Sequence, residues 1–557
     1  MNKVKKEKKI YIYRLIVVAV FLAIVAFILK IAPDYARNKL DAKTNLVINN
    51  SNITARLKND VLIEDNVVYI STKDIANFFD GHIFYDNQYD QLITTSETKV
   101  ATMKIDDKKV LINDVNFPLV ASAKKIDGNF YLPFSEVGKS VYNVETKYVE
   151  KTNTVVLVSL DRELVYGNSS KNNSVKYKPT TFSKTIDKIK KGDTVTIVET
   201  KDGWTKVTTE NGKVGYVKEN TVVNLQKMRE NLDIDTISNE KVSLIWDYFS
   251  VYGSAPQRSG KIEGVNVVSP TFFSLKKQGK GEIVANVGIK GANYINWAHN
   301  NDYKVWALLS NDSLKDTTSE ILNDYKLRND LINNILTIVA NYNLDGINID
   351  FENIKEADKD MFSRFIIELA PRLKNIGKTL SVDVTAPDGS ADWSLCYDRN
   401  VIGEVADYIV FMGYDQHGVS STEAGTVAGY DWVETSLNKF IDREEVASNK
   451  IILGMPFYTR VWVESNGELS SSTIDMNSID SYIPTGTQKV WLDDVKQYYV
   501  EYQKNGKTYK IWIEDEDSIK CKLELISKYN LAGAAYWEKD RESDSIWKLI
   551  SETLNIK

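Results

Sequence analysis

The stretch LDGINIDFEN, residues 344–353, alternates oily and polar side chains: Ile347, Ile349 and Phe351 interleave with Asn348, Asp350 and Glu352. Successive side chains of a β-strand point to opposite faces, so the three polar groups share one face, successive members about 6–7 Å apart. Two carboxylates and an amide on one face of an otherwise apolar strand fit the interior of a parallel barrel. The apolar face then meets an outer layer of helices, and Glu352 stands at the C-terminal end of the strand, where barrel enzymes hold their active sites.

The text on either side supports that placement. From residue 241 onward eight strand candidates follow one another: KVSLIWDYF, EGVNVVSPTFF, YKVWALLSN, LDGINIDFEN, TLSVDVTAP, ADYIVFMGYD, KIILGMPFYTRVW and LAGAAYWEK. Amphipathic helical stretches such as NDLINNILTIVANYN (329–343) and DKDMFSRFIIELAPRLKNIG (358–377) separate most of them. Eight such alternations predict an α/β fold, a (β/α)8 TIM barrel over 241–557 with LDGINIDFEN as its fourth strand. The gap between the seventh and eighth strands is too long for one helix and contains TYKIWIEDEDS (508–518), so a small α+β insertion is expected there.

Branched apolar side chains normally fill barrel layers, and an unpaired buried carboxylate is costly. A structural salt bridge would relieve that cost, but no Lys or Arg lies on this face of the strand. Clustered acids could also hold a metal, although such ligands usually come from several strand ends. Paired acids suit cleavage of a glycosidic bond, which needs a proton donor at the leaving oxygen and help at the anomeric carbon. A neighbouring carboxylate and burial both raise the proton affinity of Glu352.

At this point the residues reach a family pattern. DGINIDFE resembles the D-G-x-[DN]-x-D-x-E signature of glycoside hydrolase family 18. MGYD (412–415), GMPFYTR (454–460) and the AAYWE of the last strand resemble further motifs of that family, in the same order and on the matching strands. The resemblance covers 241–557. It implies substrate-assisted retaining catalysis, with Glu352 as general acid/base, Asp350 holding the acetamido N–H and Tyr414 donating to the acetamido oxygen. It further implies that Met412 and Asp415 shape that pocket, that Trp537 forms the floor under the sugar, and that Asn348, Tyr458 and Arg460 serve the substrate. No cofactor and no metal are implied. Asn348 stands where many chitinases have a third aspartate, the S-x-G-G motif is replaced by LLSND, and Asn353 follows Glu352. Together with the closing LAGAAYWE these departures are closer to bacterial cell-wall and spore-cortex N-acetylglucosaminidases than to dedicated chitinases. The expected bond is therefore a β-1,4 linkage after N-acetylglucosamine (GlcNAc) in peptidoglycan. A chitinase and a non-catalytic glycan-binding relative are the alternatives; the latter would normally have lost the acid that Glu352 supplies.

The chain of 557 residues is long enough for about three or four domains. Its 43% hydrophobic and 26% charged content is that of folded protein, and a net charge of −6 argues against a nucleic-acid binder. Two cysteines, Cys396 and Cys521, make no disulfide framework, and three scattered histidines make a histidine zinc site improbable. The basic start MNKVKKEKKIYIYR (1–14) and the apolar LIVVAVFLAIVAFIL (15–29) predict an uncleaved membrane anchor over 1–30 with the remainder extracytoplasmic. A cleaved signal peptide is the rival, but no small-x-small site followed by a polar stretch is evident.

Residues 45–160 repeat themselves. VVYISTKDIANFF (67–79) and NFYLPFSEVGKSVY (129–142) each read as a strand, a polar step and a short helix opened by an acid, and each precedes a hairpin-like segment. The duplication resembles the copper amine oxidase N-terminal-like module. It implies no copper, since His82 is the region's single histidine. Residues 172–225 show short period-2 strands broken at Lys-Gly-Asp, Asp-Gly and Asn-Gly, which resembles bacterial SH3-type domains. Such domains often bind peptidoglycan peptides and are elsewhere merely structural.

Overall fold

The computed structural model describes residues 16–25, 43–228, 240–249 and 256–556, and the chain divides into two compact units near Thr236. Most of the expected membrane anchor lies outside the described residues. Within it, 16–25 are helical, with the side chains of 16–24 exposed, and among the described residues no helix is long and apolar enough to cross a membrane.

In the first unit the sequence repeat is a structural one. Strands Val67–Ser71 and Asn129–Pro133 pair antiparallel, Tyr131 opposite Ser71 and Leu132 opposite Ile70. Each strand runs into a short helix, Thr72–Phe78 and Phe134–Tyr142. The opening acid of each helix performs the same task. Asp74 accepts the backbone N–H groups of Lys58 (2.7 Å) and Asn59 (3.1 Å), and Glu136 those of Val120 (2.5 Å) and Ala121 (2.9 Å). Both acids thereby pin a loop that would otherwise leave amides without acceptors. Asp74 is buried, so Asp74→Ala is expected to destabilise this module by about 2–3 kcal/mol, read as a lowered calorimetric transition of its own.

Residues 164–228 form a seven-stranded antiparallel sheet around Val175, Ile189, Val195, Val207 and Val217. Its turns fall at the glycines that the sequence indicated, with Gly192, Gly203 and Gly212 at φ of 91°, 75° and 73°. A Lys218 ammonium sits 4.1 Å from the centre of the Trp204 ring.

The second unit is a closed eight-stranded parallel barrel. Its strands are β1 (Val242–Asp247), β2 (Val267–Pro270), β3 (Lys304–Ser310), β4 (Gly346–Asp350), β5 (Thr379–Val384), β6 (Tyr408–Met412), β7 (Ile451–Pro456) and β8 (Gly533–Trp537). Each pairs in parallel with the next, and β8 closes on β1. All eight lie inside the stretches recognised from sequence. Ile347, Ile349 and Phe351 of the motif are fully buried in the layer between strands and helices. Inside the barrel, Leu244, Trp246, Leu308, Val410, Ile452 and Ala535 form a separate core beneath the site. The motif glycine is a packing requirement: a Cβ on Gly346 would lie 2.6 Å from the Thr379 carbonyl and 2.8 Å from the Trp306 ring.

Between β7 and β8 the chain builds the expected α+β insertion. Five antiparallel strands run from Tyr458–Ser465 to Lys507–Ile513, and the helix Glu516–Lys528 returns the chain to β8. A fully buried ion pair, Lys522 Nζ to Glu514 Oε1 at 2.5 Å, anchors this helix. Gln497 donates to Glu514 Oε2 at 2.7 Å, and Thr426, in the loop after β6, donates to Gln497. The insertion is thus hydrogen-bonded to a loop at the mouth of the barrel. Cys396 and Cys521 are both free thiols.

Candidate active site

The sequence dictates which β4 side chains enter the barrel, and its neighbours decide what they meet. Asp345, first acid of the motif, faces the other end: it accepts Val305 N–H (3.0 Å) and contacts His299 Nε2 (2.9 Å), partners that help hold its carboxyl below the usual range despite burial. It is a structural clamp between strands.

Asn348 requires a correction. The family pattern assigned it to the substrate, but it is fully buried below the site and its polar atoms are occupied by protein. Trp246 Nε1 (2.9 Å) and Ser269 Oγ (3.2 Å) donate to its oxygen, and its Nδ2 donates to Ser381 Oγ (3.0 Å) and Asp383 Oδ1 (2.7 Å). Both lone pairs and both protons of the amide are used, leaving nothing for a sugar. Its role is to tie β1, β2, β4 and β5 together.

Asp350 ends β4, and Glu352 lies two residues beyond, in the loop at the C-terminal mouth. The position of Glu352 is over-determined. Its N–H donates to Asn311 Oδ1 (3.0 Å), Asn311 Nδ2 donates back to its carbonyl (2.9 Å), and Tyr397 OH donates to the Phe351 carbonyl (2.8 Å). Asn311, at the end of β3 in the LLSND stretch, is fully buried and was not singled out from sequence.

The pair carries the electrostatics of the site. Burial, followed by the charge of Asp350 beside it and then that of Asp415, pushes the Glu352 carboxyl up to about 9. Burial, followed by the charge of Asp383, pushes Asp350 up to about 8. Among the described residues no N–H or hydroxyl donor reaches the buried Asp350 Oδ1. Among the described residues no lysine or arginine forms an ion pair with either acid. Such a pair keeps a proton at neutral pH, as a group that must donate one requires.

Around the pair, Tyr414 follows β6, its phenol held well above its ordinary range, mainly by burial, and therefore protonated. Tyr458 OH donates to Asp415 Oδ1 at 2.7 Å, joining the insertion to the loop after β6. Met412 is buried at the end of β6. Trp246 packs edge-on against Tyr414 (6.4 Å between centroids) and Trp537 (5.8 Å), so the half-buried Trp537 at the end of β8 forms one wall of an aromatic floor. Arg460 is two residues beyond Tyr458 on the same face of its strand. Its Nη1 donates weakly to Ser471 Oγ at 3.3 Å, and its buried Nε has no acceptor among the described residues. The structure thus brings Glu352, Asp350, Tyr414, Asp415, Tyr458, Met412 and Trp537 to one end of the barrel. It adds Asp383, Asn311, Tyr397 and Trp246, which come from other strands and loops and carry no motif signal of their own.

Comparison with known proteins agrees with this fold. Residues 244–542 match Glycosyl hydrolases family 18, residues 175–223 match the bacterial SH3 domain, and residues 47–157 match the copper amine oxidase N-terminal domain. The chain is 30% identical over 300 residues to the Uncharacterized glycosylase YvbX of Bacillus subtilis, covering 51% of this chain and 84% of that protein. It is 24% identical over 257 residues to the Cortical fragment-lytic enzyme of Bacillus subtilis, covering 44% of this chain and 59% of that protein. A solved chitinase from Chromobacterium violaceum superposes with a TM-score of 0.50 at 22% identity, covering 57% of this chain and all of that one, which is a likeness of fold.

Proposed function

The chain belongs to glycosyl hydrolases family 18 and is a glycoside hydrolase; from that premise we propose that it cleaves the β-1,4 bond after GlcNAc in peptidoglycan by substrate-assisted catalysis. The observation that carries the reading is the cation-free Asp350–Glu352 pair at the mouth of the barrel. Glu352 gives its proton to the leaving glycosidic oxygen while the sugar's own 2-acetamido oxygen bonds to the anomeric carbon, forming an oxazolinium ion. Asp350 accepts the acetamido N–H and balances the charge that develops on the ring. Tyr414, protonated, donates to the acetamido oxygen. Water then attacks the anomeric carbon, and the Glu352 carboxylate takes its proton, restoring the acid. Trp537 supports the apolar face of the reacting sugar. Tyr458 fixes Asp415 beside the acetamido pocket.

The mechanism needs a 2-acetamido sugar at the cleaved position, which N-acetylmuramic acid (MurNAc) also carries. Its 3-O-lactyl group adds bulk beside the reacting carbon, where Trp537 and Tyr414 already crowd the site. Cleavage therefore leaves GlcNAc at the new reducing end. The kinship with a cortical fragment-lytic enzyme and the SH3-type domain favour wall glycan over chitin. A membrane anchor over 1–30 and wall contact by the SH3-type domain raise the local glycan concentration even where each contact is weak. Mass spectrometry of a peptidoglycan digest by the soluble portion is expected to find reducing GlcNAc, and chitin oligomers are cut more slowly. Products ending in reducing MurNAc would make this a muramidase. Deleting 174–223 is expected to slow digestion of wall but not of short chitin oligomers.

A further inference from the structure

The motif strand supplies Asp350 and Glu352 but places an amide, Asn348, at its third inward position. The neighbouring strand makes up the difference. Ser381 and Asp383 lie on the inward face of β5, where Asn348 stands opposite Ser381 in register. Asp383 is 1% exposed and accepts Asn348 Nδ2 at 2.7 Å. Its charge bears on Asp350, and that of Glu352 bears on it, so three carboxyls form one electrostatic group. The other titratable groups facing them are Tyr414 after β6, Tyr397 after β5, Asp312 after β3 and Asp415 after β6, and none is a cation. The described donors to this group are few. Asn348 serves Asp383 Oδ1, and among the described residues no donor reaches Asp350 Oδ1.

We infer that Asp383, contributed by β5 rather than by the motif strand, is the third carboxyl of the catalytic set and acts through Asp350 as a positioning residue. This rests on the reading of Glu352 and Asp350 proposed above. Like charges that act on one another in a buried site cannot all ionise, so the protons of the set are shared, and the charge on Asp383 affects how firmly Asp350 and Glu352 keep theirs. Asp383→Asn removes one negative charge while retaining the hydrogen bond from Asn348. The remaining pair then binds its proton less tightly.

The pairing also predicts that the roles can be exchanged. In Asn348→Asp/Asp383→Asn the same amide–carboxyl pair is reversed across the two strands, and Trp246 and Ser269 still find an acceptor at position 348. The test measures pH profiles of kcat and KM on a chromogenic chito-oligosaccharide for wild type, Asp383→Asn and the exchange variant. Asp383→Asn is expected to lower kcat by about 10–100-fold with KM nearly unchanged, and to move the alkaline limb down by about one pH unit. The exchange variant is expected to recover at least tenfold of the loss and the original limb. An unshifted limb in Asp383→Asn, or an exchange variant no better than it, overturns the inference. If Asp383→Asn fails to fold, the exchange variant is compared directly with wild type by the same criteria. The slope of melting temperature against pH reads the same coupling without catalysis. Carboxyls whose proton affinity is raised by folding lose stability as pH rises, and that loss is expected to be smaller in Asp383→Asn. An unchanged slope also overturns the inference, whereas a wild type that cleaves no GlcNAc glycan while the slope changes overturns only the reading of function.

Discussion

Glu352→Gln is expected to fold and to lose hydrolysis by at least about a thousandfold, because the one group that moves protons in both steps is gone. Gln retains the size of the side chain, and the hydrogen bonds that fix residue 352 are made through its backbone to Asn311. Binding of an intact chito-oligosaccharide should therefore survive, and the loss appears in kcat. The same substitution is expected to stabilise the fold. Glu352 has a folded-state proton affinity raised above that of the unfolded chain, so the native state binds more protons between the ordinary glutamate range and about 9. Stability consequently falls as pH rises through that window. Removing the titrating group abolishes the penalty, giving a gain of about 1–2 kcal/mol at pH 8 that vanishes near pH 4. Calorimetry across pH tests this alongside the assay. A variant that kept near wild-type rates would remove Glu352 from the mechanism. One that lost activity together with stability would mark it as structural.

Lys522→Met is expected to destabilise the barrel by about 3–5 kcal/mol, since it leaves Glu514 buried without its cation. Burial raises the proton affinity of Glu514, and Lys522, Ser518 and Gln497 hold its charge in place. The double variant Glu514→Gln/Lys522→Met, neutral and still able to accept from Ser518, is expected to recover more than half of the loss. Denaturant unfolding of the three proteins measures both effects. The chain from Glu514 through Gln497 to Thr426 enters the loop that also carries Tyr414 and Asp415, so the single variant should raise KM as well.

The strand succession, the inward face of β4, the insertion before β8 and the repeat at residues 67–142 were legible in the sequence because each is a local periodicity. Alternation at about 3.3 Å per residue is written along one strand and needs no partner to be read. The MGYD, GMPFYTR and AAYWE segments were legible through their resemblance to family motifs, which put Tyr414, Tyr458 and Trp537 at or just beyond strand ends. The burial of Asn348 was not. Its exclusion from the substrate follows from Trp246, Ser269, Ser381 and Asp383, drawn from three other strands.

The sequence by itself therefore determined the barrel, the order of its strands and the placing of Asp350 and Glu352 on one face at the end of β4, since these depend on spacing along one chain segment. Only the tertiary structure decided that Asp383 of β5 joins that pair, that Asn311 of β3 fixes Glu352, and that Asn348 is a tie within the barrel floor. Those contacts join neighbouring strands or cross the barrel interior, between residues far apart along the chain. Which side chains then face one another depends on the register at which the closed barrel pairs its strands. No single strand carries that register in its own residues.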